Sequence, residues 1–421
     1  MTDQKKTDVR ALAHTALMLI NEDNCLSHIV VREALDKYDF LESRDKALFY
    51  RLVTGTLEYQ NTIDMVIDSF SKVKTAKMKP YVRNLVRMAL YQILYMDKVP
   101  DSAACNEAVR LIKSSSFRGL SGFVNGLLRN ICRNRDSLDL KSRCMLYSVQ
   151  QWMLDELDAT IGKKETDAFL EDSLKERTVY VRVFGEHAHY DTIDAAGISI
   201  TDMYQAEDPD SVTATKEWLE GNAYIQDISS SMPVRMSGIS DSMTVIDVCA
   251  APGGKAVQAA QRMNKTGRVI ACDVSDKKVH LIHDNAARTG CSNIEAMVCD
   301  ATQFHEEFQN LADVVIADLP CSGIGTISHK PDIKNRLTHE DVLALARLQK
   351  TILENVCRYV KPGGQLIYST CTLTHEENAD NTAAFVKGHP EYEIKRSVTM
   401  LPCKAYSCDG FYICVMEKAS K

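Results

Sequence analysis

The chain has 421 residues, of which 45% are hydrophobic and 25% charged, and its formal net charge is -7 at pH 7. This balance excludes a disordered or fibrous chain, and at about 150 residues per domain the length predicts roughly three domains. Because no stretch approaches the ~18 consecutive apolar residues of a membrane helix and the first residues form no signal-peptide core, we expect a cytoplasmic protein without a membrane partner.

The 14 cysteines are scattered along the chain and form no C-x-x-C pair. Their spacing argues against a four-thiolate zinc site, and the expected reducing compartment argues against a disulfide framework. We therefore expect no metal, and most of these thiols should be small buried hydrophobic groups.

The first third of the chain is predicted to be helical. Apolar residues recur there at the spacing of an amphipathic helix, and Pro80 suits the first turn of one. The first such stripe consists of Val9, Leu12, Ala13, Ala16, Leu17 and Ile20. We predict an all-α domain over residues 1–139.

Three segments of this helical region resemble the NusB antitermination fold, a helical RNA-binding domain. They are R-D-K-A-L-F-Y-R-L-V-T-G-T-L at residues 44–57, N-E-A-V-R-L-I-K at 106–113 and F-V-N-G-L-L-R-N-I at 123–131. The last two lie in a basic window, residues 72–143, which has 15 Lys and Arg against 5 Asp and Glu. This window is a candidate phosphate-contacting surface, and the alternative is a solvated helical face.

A helical linker is predicted over residues 140–178, followed by a small α/β lead-in over residues 179–240. Two segments around and within the lead-in have strand-like patterns, at residues 178–184 and 197–200. Residues 144–250 carry 7 Lys and Arg against 20 Asp and Glu, which makes this part of the chain a poor phosphate surface.

From residue 241 to 421 the pattern alternates strictly between apolar strands and helices. The predicted strands are residues 244–248, 268–272, 293–298, 314–317 and 364–368, and helices are predicted at 276–289 and 340–360. Continuous apolar strands joined by helices indicate a parallel sheet covered on both faces. The chain is therefore predicted to be multidomain, with an all-α front and an α/β domain behind it.

A glycine-rich loop follows the first of these strands and is a candidate cofactor site. In a doubly wound sheet, ligands bind beyond the carboxyl ends of strands, where glycines admit the backbone and the next helix offers free N–H groups. The loop matches neither G-x-G-x-x-G nor the phosphate-binding P-loop. Its residues are Cys249, Ala250, Ala251, Pro252, Gly253, Gly254 and Lys255.

Acidic residues end three successive strands. Asp273 closes the second strand, Asp300 the third and Asp318 the fourth. A carboxylate at the end of the second strand can accept hydrogen bonds from both ribose hydroxyls of an adenosine ligand, and Asp300 is then placed to meet the adenine edge. One such residue is more often a helix cap, but three in succession favour an adenosine site.

Two cysteines lie just beyond strands on the same edge of the predicted sheet. Cys321 belongs to A-D-L-P-C-S-G-I-G at residues 317–325, and Cys371 belongs to Y-S-T-C-T at residues 368–372. Two unrelated buried thiols are the alternative interpretation, but the shared edge favours a paired site. The Pro-Cys sequence differs from the N/D-P-P-Y/F signature of adenine N6-methylation and argues against that chemistry.

Together these motifs resemble the bacterial RNA (cytosine-5)-methyltransferases, and with the NusB-like front they resemble the RsmB (Sun/Fmu) type. The set also includes Q-D-I-S-S at residues 226–230, H-K-P-D-I-K at 329–334, E-E-N at 376–378 and D-G-F-Y at 409–412. The resemblance implies a Rossmann-like class I domain and S-adenosylmethionine-dependent methylation of a cytosine in 16S ribosomal RNA or its assembly intermediate. We expect no DNA partner.

The same resemblance implies a role for each site residue. Cys371 is the nucleophile, Cys321 assists product release, and Asp318 hydrogen-bonds the cytosine edge. The cofactor is expected on the loop at residues 249–255 and on the three strand-end acids.

The chain departs from the family pattern at three positions, which are Leu319, Asn335 and Tyr412. The family often has Ala, Trp and Phe there, so no reactive group is removed, although Asn335 could alter packing near the target nucleotide.

Three alternatives remain open at this point. The chain could methylate another RNA such as transfer RNA, act as a non-catalytic RNA-binding or assembly factor, or be a Rossmann oxidoreductase. The two cysteines and three strand-end acids weigh against a non-catalytic factor. The absent dinucleotide fingerprint weighs against an oxidoreductase.

Overall fold

A computed structural model describes residues 7–175, 178–184 and 192–420 of the chain. The first six residues, which bear on the expectation about targeting, lie outside the described residues, and so do residues 185–191 of the predicted lead-in. Contacts divide the chain into two compact units, one of residues 1–155 with 329–337, the other of residues 156–328 with 338–421. The four domain ranges drawn from the sequence stay a prediction.

The first unit is built from helices, as the sequence predicted. The side chain of Asp8 accepts hydrogen bonds from the N–H groups of Arg10 and Ala11 and so caps the first helix, and Pro80 begins the fifth. The apolar stripes of these helices meet in one core. The helices are α1 (Val9–Glu22), α2 (Ser27–Lys37), α3 (Ser43–Glu58), α4 (Gln60–Phe70), α5 (Pro80–Tyr95), α6 (Asp101–Lys113), α7 (Ser121–Arg133) and α8 (Arg143–Tyr147), and α9 (Gln151–Ile161) continues into the second unit.

In the described residues, the second unit combines helices with three sheets. Its helices are α10 (Lys163–Asp172), α11 (Lys216–Leu219), α12 (Ile228–Met236), α13 (Gly254–Arg262), α14 (Asp276–Arg288), α16 (His339–Val356) and α17 (Ala379–Gly388), while α15 (Ile333–Arg336) lies in the first unit. Its strands are β1 (Tyr180–Val183), β2 (Ile193–Ala195), β3 (Ile198–Ile200), β4 (Met203–Gln205), β5 (Ala223–Ile225), β6 (Thr244–Asp247), β7 (Arg268–Asp273), β8 (Ile294–Val298), β9 (Ala312–Asp318), β10 (Val360–Thr370), β11 (Tyr392–Met400) and β12 (Phe411–Lys418).

The main sheet has seven strands in the order β11-β12-β10-β9-β6-β7-β8. Strands β6 to β10 pair in parallel, and all five strands predicted from the sequence are confirmed with their ends displaced by a few residues. The order of these strands reverses between β6 and β9, and ligands bind at such switch points. This part of the sheet therefore positions the candidate site.

The sheet is parallel except at one edge, where it has two strands that the sequence did not predict. Strands β11 and β12 were not foreseen, and both run antiparallel to their neighbours. The ten residues between them suffice for an antiparallel pair, whereas a parallel pair needs a longer crossover. The predicted helix at residues 340–360 also ends early, at Val356, and Val360 already begins β10.

The lead-in contributes two small sheets. Strand β1 lies between β4 and β5, and β2 pairs with β3 as a hairpin. Both strand-like patterns seen in the sequence correspond to strands, β1 and β3. The buried guanidinium of Arg182 on β1 donates to the Gln226 side chain at 2.6 Å, in the segment before α12, and to the Gln261 side chain on α13 at 2.9 Å.

Residues 329–337 belong to the helical unit, although the sequence placed them in the α/β domain. Asn61 donates to the Asn335 side chain at 2.9 Å, and Asn335 donates in turn to the Leu57 carbonyl at 2.8 Å. The buried Lys334 ammonium donates to the Tyr147 carbonyl at 3.2 Å. Asn335, the departure from the family pattern, thus packs among helices of the first unit.

A search of the described residues finds no helix both long enough and apolar enough to cross a lipid bilayer.

Candidate active site

The two predicted cysteines come together at the carboxyl ends of neighbouring strands. Strands β9 and β10 pair in parallel with Asp318 opposite Ser369, and the loops that follow them bring the sulfur atoms of Cys321 and Cys371 to 3.3 Å. Parallel strands end at the same edge of a sheet, so the sequence prediction of a shared edge follows from this register.

The two thiols are not equivalent. A hydrogen bond to the Cys371 sulfur, together with burial, raises the pKa of Cys321 well above its usual range. Cys321 therefore keeps its proton, and its sulfur shares a hydrogen bond with the Cys371 sulfur in which either atom can be the donor. A sulfur that accepts this bond is better stabilised as a thiolate, which is the nucleophilic form.

A lysine and an aspartate form an ion pair beside the thiols. The Lys255 ammonium donates to one Asp318 oxygen at 2.7 Å and to the Ser230 hydroxyl at 3.0 Å, while the Ser369 hydroxyl donates to the other Asp318 oxygen at 2.8 Å. Burial disfavours the charge of Lys255, but the attraction of Asp318 outweighs it and raises the pKa of Lys255. The lysine is therefore a permanent cation, and Asp318 is held in one orientation.

Two glycines bring the backbone close behind Cys371. The Gly325 N–H donates to the Cys371 carbonyl at 3.0 Å, and the Gly410 N–H donates to the Gly325 carbonyl at 2.9 Å. A Cβ atom on Gly325 would lie 1.8 Å from the Gly410 carbonyl oxygen, so only glycine fits there. This contact explains the glycines of the S-G-I-G and D-G-F-Y motifs.

The glycine-rich loop folds as a turn into α13. Gly253 precedes the helix with a φ of +108°, which disfavours any other residue, and the Ala250 N–H donates to the Cys272 carbonyl at 2.8 Å. The first N–H groups of a helix have no partner within the helix and suit a carboxylate. The loop from Cys249 to Lys255 therefore lies beside both β7 and the Asp318 ion pair.

Asp273 and Asp300 end neighbouring strands but differ in their surroundings. Asp273 is buried and accepts hydrogen bonds from the Ala251 N–H at 3.1 Å and the Val274 N–H at 2.8 Å, with the Lys278 ammonium at 3.1 Å. Asp300 is exposed and accepts from the N–H and hydroxyl groups of Thr302, which lower its pKa. Asp273 joins the loop directly, whereas the hydrogen bonds of Asp300 stay within its own turn.

A fourth acid of the site, Asp247, lies two residues before the loop and was not among the predicted site residues. It ends β6, it is 1% exposed, and neither carboxyl oxygen has a hydrogen-bond partner among the described residues. Burial outweighs the attraction of Lys255 and raises the pKa of Asp247 to about 7. An acid at the end of the first strand was the signal that could have found it.

The site fits S-adenosylmethionine. A buried acid without a partner, Asp247, lies under the loop, the first turn of α13 offers N–H groups, and Asp273 retains acceptor capacity for ribose hydroxyls. Two exposed apolar side chains lie beside Asp273 and offer a surface for a base. Val274 follows Asp273 in the chain, and Val298 on β8 is its partner in the sheet.

Sequence reasoning also missed the side chains that hold the functional groups. Ser230 and Ser369 orient the ion pair, and the buried Glu377 accepts hydrogen bonds from the loop of Cys321. Each stands inside a quoted motif, Q-D-I-S-S, Y-S-T-C-T or E-E-N, so the motif was visible but the contact was not.

One group of side chains could reach a common cation, namely Glu156, His339 and Glu376. The His339 ring nitrogen lies 3.1 Å from a Glu376 oxygen, and burial together with the charge of Glu376 raises the pKa of Glu156. A proton shared between the two carboxyl groups satisfies the same geometry. The expectation of no metal therefore stays a prediction.

Two parts of the chain match family models. Residues 238–414 match the model described as 16S rRNA methyltransferase RsmB/F, and residues 7–133 match the NusB family. The chain is 33% identical to the probable ribosomal RNA small subunit methyltransferase B of Bacillus subtilis (strain 168), over 98% of this chain and 99% of the relative. It is 29% identical to the protein of the same description from a Synechocystis species, over 97% and 99%.

Solved structures resemble the fold. The crystal structure of PH0851 superposes with a TM-score of 0.81 at 24% identity, covering 98% of this chain and 99% of that one. NSun6 from Pyrococcus horikoshii superposes with a TM-score of 0.53 at 18% identity, covering 66% of this chain and all of that one. At these identities the likeness shows the shared fold alone.

The first prediction concerns the buried acid. The pKa of Asp247 is raised from 3.8 to about 7 in the folded protein, so the folded state holds a proton that the unfolded state has lost between these values. The free energy of unfolding should therefore fall, relative to that of an Asp247→Asn variant, as the pH rises from about 4 to about 7. Urea unfolding across this range measures the difference, and a difference that is independent of pH would show that the pKa of Asp247 is the same in the folded and unfolded states.

Proposed function

The chain belongs to the ribosomal RNA small subunit methyltransferase B family, and from this we propose that it methylates carbon 5 of a cytosine in 16S ribosomal RNA through a covalent cysteine–cytosine adduct. The observation that carries the proposal is the pair of thiols 3.3 Å apart beside the ion pair of Lys255 and Asp318. Adenine N6 chemistry has no use for two thiols at the reacting atom, whereas carbon 5 of cytosine must first be activated by a nucleophile.

Cys371 begins the reaction in this proposal. Its thiolate adds to carbon 6 of the ring, which makes carbon 5 nucleophilic. Lys255 lies close enough to Cys371 for its charge to favour the thiolate. Asp318, held by Lys255 and Ser369, accepts a hydrogen bond from the cytosine edge and stabilises the proton that the ring gains.

Cys321 acts at the end of the reaction. After methyl transfer the proton on carbon 5 passes to solvent water, and its electron pair restores the double bond between carbons 5 and 6. The bond between carbon 6 and sulfur then breaks, and Cys371 leaves as a thiolate. The S–H group of Cys321 lies 3.3 Å from that sulfur and donates a hydrogen bond to it. The second thiol therefore stabilises the leaving group, which is a role in product release.

S-Adenosylmethionine supplies an electrophilic methyl group when it is bound. The chain would hold it with the loop from Cys249 to Lys255 and with Asp273, while Asp300 meets the adenine edge and Asp318 borders the methyl end. The Ala251 N–H of the loop donates a hydrogen bond to Asp273, the residue that would hold the ribose. The same carboxylate therefore holds the loop and would bind the cofactor.

The RNA surface is proposed to lie on α6 and α7 of the helical unit. Four arginines of the basic window form ion pairs with acids, Arg83, Arg87, Arg110 and Arg135. In the part of the chain that the structure describes, Lys113, Arg118 and Arg133 are exposed and form no ion pair. Unpaired cations on neighbouring elements are suited to phosphate groups.

The central prediction separates the two thiols. Cys371→Ala should abolish methylation and form no covalent complex, because the adduct cannot begin. Cys321→Ala should still attack and transfer the methyl group, and should then stall with RNA attached through Cys371. A denaturing gel would show the stalled form as a slower protein band that depends on RNA and is removed by nuclease.

The control for this experiment is Cys357→Ala, which removes a buried thiol of the core and should methylate normally. A 16S transcript carrying 5-fluorocytosine, which has no proton on carbon 5 to lose, should trap the unmutated enzyme in the same band. Full methylation by the Cys371 variant would refute the two-thiol mechanism, and labelling of transfer RNA alone would refute the proposed substrate.

The cofactor prediction concerns Asp273. Asp273→Ala should weaken S-adenosylmethionine binding by about 1–3 kcal/mol, the scale of a lost hydrogen bond to a charged group. Titration calorimetry on the folded variant measures the change, with Asp276→Ala on the adjacent helix as the matched control. Unchanged affinity of the Asp273 variant would remove this residue from the site.

The RNA prediction concerns the three unpaired cations. Replacing Lys113, Arg118 and Arg133 by Gln should weaken RNA binding and flatten the plot of log affinity against log salt by about 0.7–0.9 per lost phosphate contact. Substitution is preferable to deletion of residues 1–139, because residues 329–337 pack in the same unit and would lose their partners.

A matched control replaces three exposed lysines of the second unit, Lys216, Lys395 and Lys404, by Gln. This variant has the same change of net charge and should keep the affinity and salt slope of the unmutated protein. Equal effects of the two triple variants would show that only net charge matters and that α6 and α7 form a solvated surface.

A further inference from the structure

A buried carboxylate lies behind the thiol pair and has no positively charged partner in the hydrogen bonds it makes. Glu377 is fully buried, and one of its oxygens accepts from the Ser322 N–H at 2.9 Å and from the Gln349 amide at 3.0 Å. The other accepts from the Ser322 hydroxyl at 2.5 Å and the Thr374 hydroxyl at 2.9 Å. Four neutral donors thus fill the four acceptor positions of this carboxylate.

Three of these four donors come from the two thiol loops. Ser322 directly follows Cys321, and Thr374 lies three residues after Cys371. A bond of 2.6 Å between the Ser322 and Thr372 hydroxyls links the same loops again. Glu377 is therefore the common acceptor at the point where the two loops meet.

The surrounding side chains make this junction rigid. The Asn378 amide donates to the Thr372 carbonyl at 2.9 Å, and the Thr370 hydroxyl donates to the Asn378 oxygen at 2.5 Å. Gln349 on α16 also donates to the Pro320 carbonyl at 2.9 Å, immediately before Cys321. Gln349 and Asn378 thus bond to the thiol loops as well as lying beside Glu377.

We propose that Glu377 is a positioning residue that sets the distance between the two reactive thiols. It acts through Ser322 on Cys321 and through Thr374 on Cys371, and it touches neither sulfur. The inference goes further than the proposed function and rests on it only for the catalytic meaning of that distance. This role would explain the second glutamate of the E-E-N motif.

The hydrogen-bond geometry predicts which substitutions the junction tolerates. In Glu377→Gln the amide oxygen can keep the bonds from the Ser322 N–H and the Gln349 NH2 group. These two groups can only donate, so they need the oxygen as their acceptor. The new NH2 group then faces two hydroxyls, and hydroxyls can rotate to accept. Glu377→Ala removes all four acceptor positions and leaves buried donors unpaired. A positioning role is therefore rescued by Gln, whereas a role for the negative charge is not.

The first measurement reports thiol proximity without RNA or cofactor. Diamide takes two electrons and two protons from two nearby thiols, which join as a disulfide while diamide becomes a hydrazine. Peptide mass spectrometry on the full chain then follows the Cys321–Cys371 bridge. The pair Cys105 and Cys132 in the helical unit, with sulfurs 3.9 Å apart, serves as the internal reference in every sample.

Glu377→Ala should slow bridging of the two active-site thiols about 10²-fold relative to the reference pair, since a displacement near 1 Å has effects of that size. Glu377→Gln should remain within a few fold of the unmutated protein. Glu376→Gln is the matched control, because that neighbouring carboxylate pairs with His339 and bonds to neither thiol loop. It should bridge at the unmutated rate.

The second measurement is the rate of adduct formation on RNA with 5-fluorocytosine. Glu377→Ala should lower this rate about as much as it lowers bridging, with the KM values for RNA and S-adenosylmethionine unchanged. If Glu377→Ala does not fold, Ser322→Ala and Thr374→Val, each lacking one donor, should show smaller losses in the same direction.

Two outcomes would overturn the inference. Bridging that is unaffected in Glu377→Ala, or in both donor variants, would show that other contacts set the distance. Loss of activity in Glu377→Gln with normal bridging would show that the charge acts in chemistry. Failure of the unmutated enzyme to form any adduct, with bridging behaving as expected, would overturn the proposed function and leave the positioning role intact.

Discussion

The parallel pairing of β9 with β10 is the constraint on which the chemistry of this protein depends. It sets Asp318 opposite Ser369 and makes the two strands end together, so that the loops carrying Cys321 and Cys371 leave the sheet side by side. The two sulfurs lie 3.3 Å apart although they are 50 residues apart in the chain. The helices and the outer strands bury this pairing and keep it in register.

The site holds three carboxylates in three different ways, with Asp318 partly exposed and Asp247 and Glu377 buried. Asp318 forms an ion pair with Lys255, Glu377 is surrounded by four neutral donors, and neither oxygen of Asp247 has a hydrogen-bond partner among the described residues. These arrangements follow an order of electrostatic cost, since a buried charge is tolerated when it is paired or fully hydrogen-bonded and is otherwise neutralised. Asp247, the carboxylate whose burial costs the most free energy, lies where the proposed cofactor binds. Ionisable groups with strongly shifted pKa values are typical of functional sites.

The parallel strands and their loop motifs could be predicted from the sequence because both signals are local. Five apolar runs each ended in a motif, and the edge they share follows from topology alone. Strand β12 was not predicted because it begins inside the D-G-F-Y motif. Strand β11 was not predicted because most of its side chains are exposed and polar.

The supporting side chains could not be predicted for a different reason. Ser230 meets Lys255, and Asn61 meets Asn335, only after the chain has folded, and no periodicity encodes contacts between residues so far apart. The NusB-like and methyltransferase resemblances, by contrast, are confirmed by the family matches, because they rest on contiguous motifs.

The packing of residues 329–337 in the helical unit also affects how the protein folds during synthesis. The ribosome delivers the helices first, but their partners Asn335 and Lys334 follow about 180 residues after the end of the first stretch of that unit at residue 155. At about 5–20 residues per second this interval lasts roughly 10 to 40 seconds. During synthesis the helices of the first unit therefore remain incompletely packed until residues 329–337, and the part of the α/β domain that precedes them, have emerged.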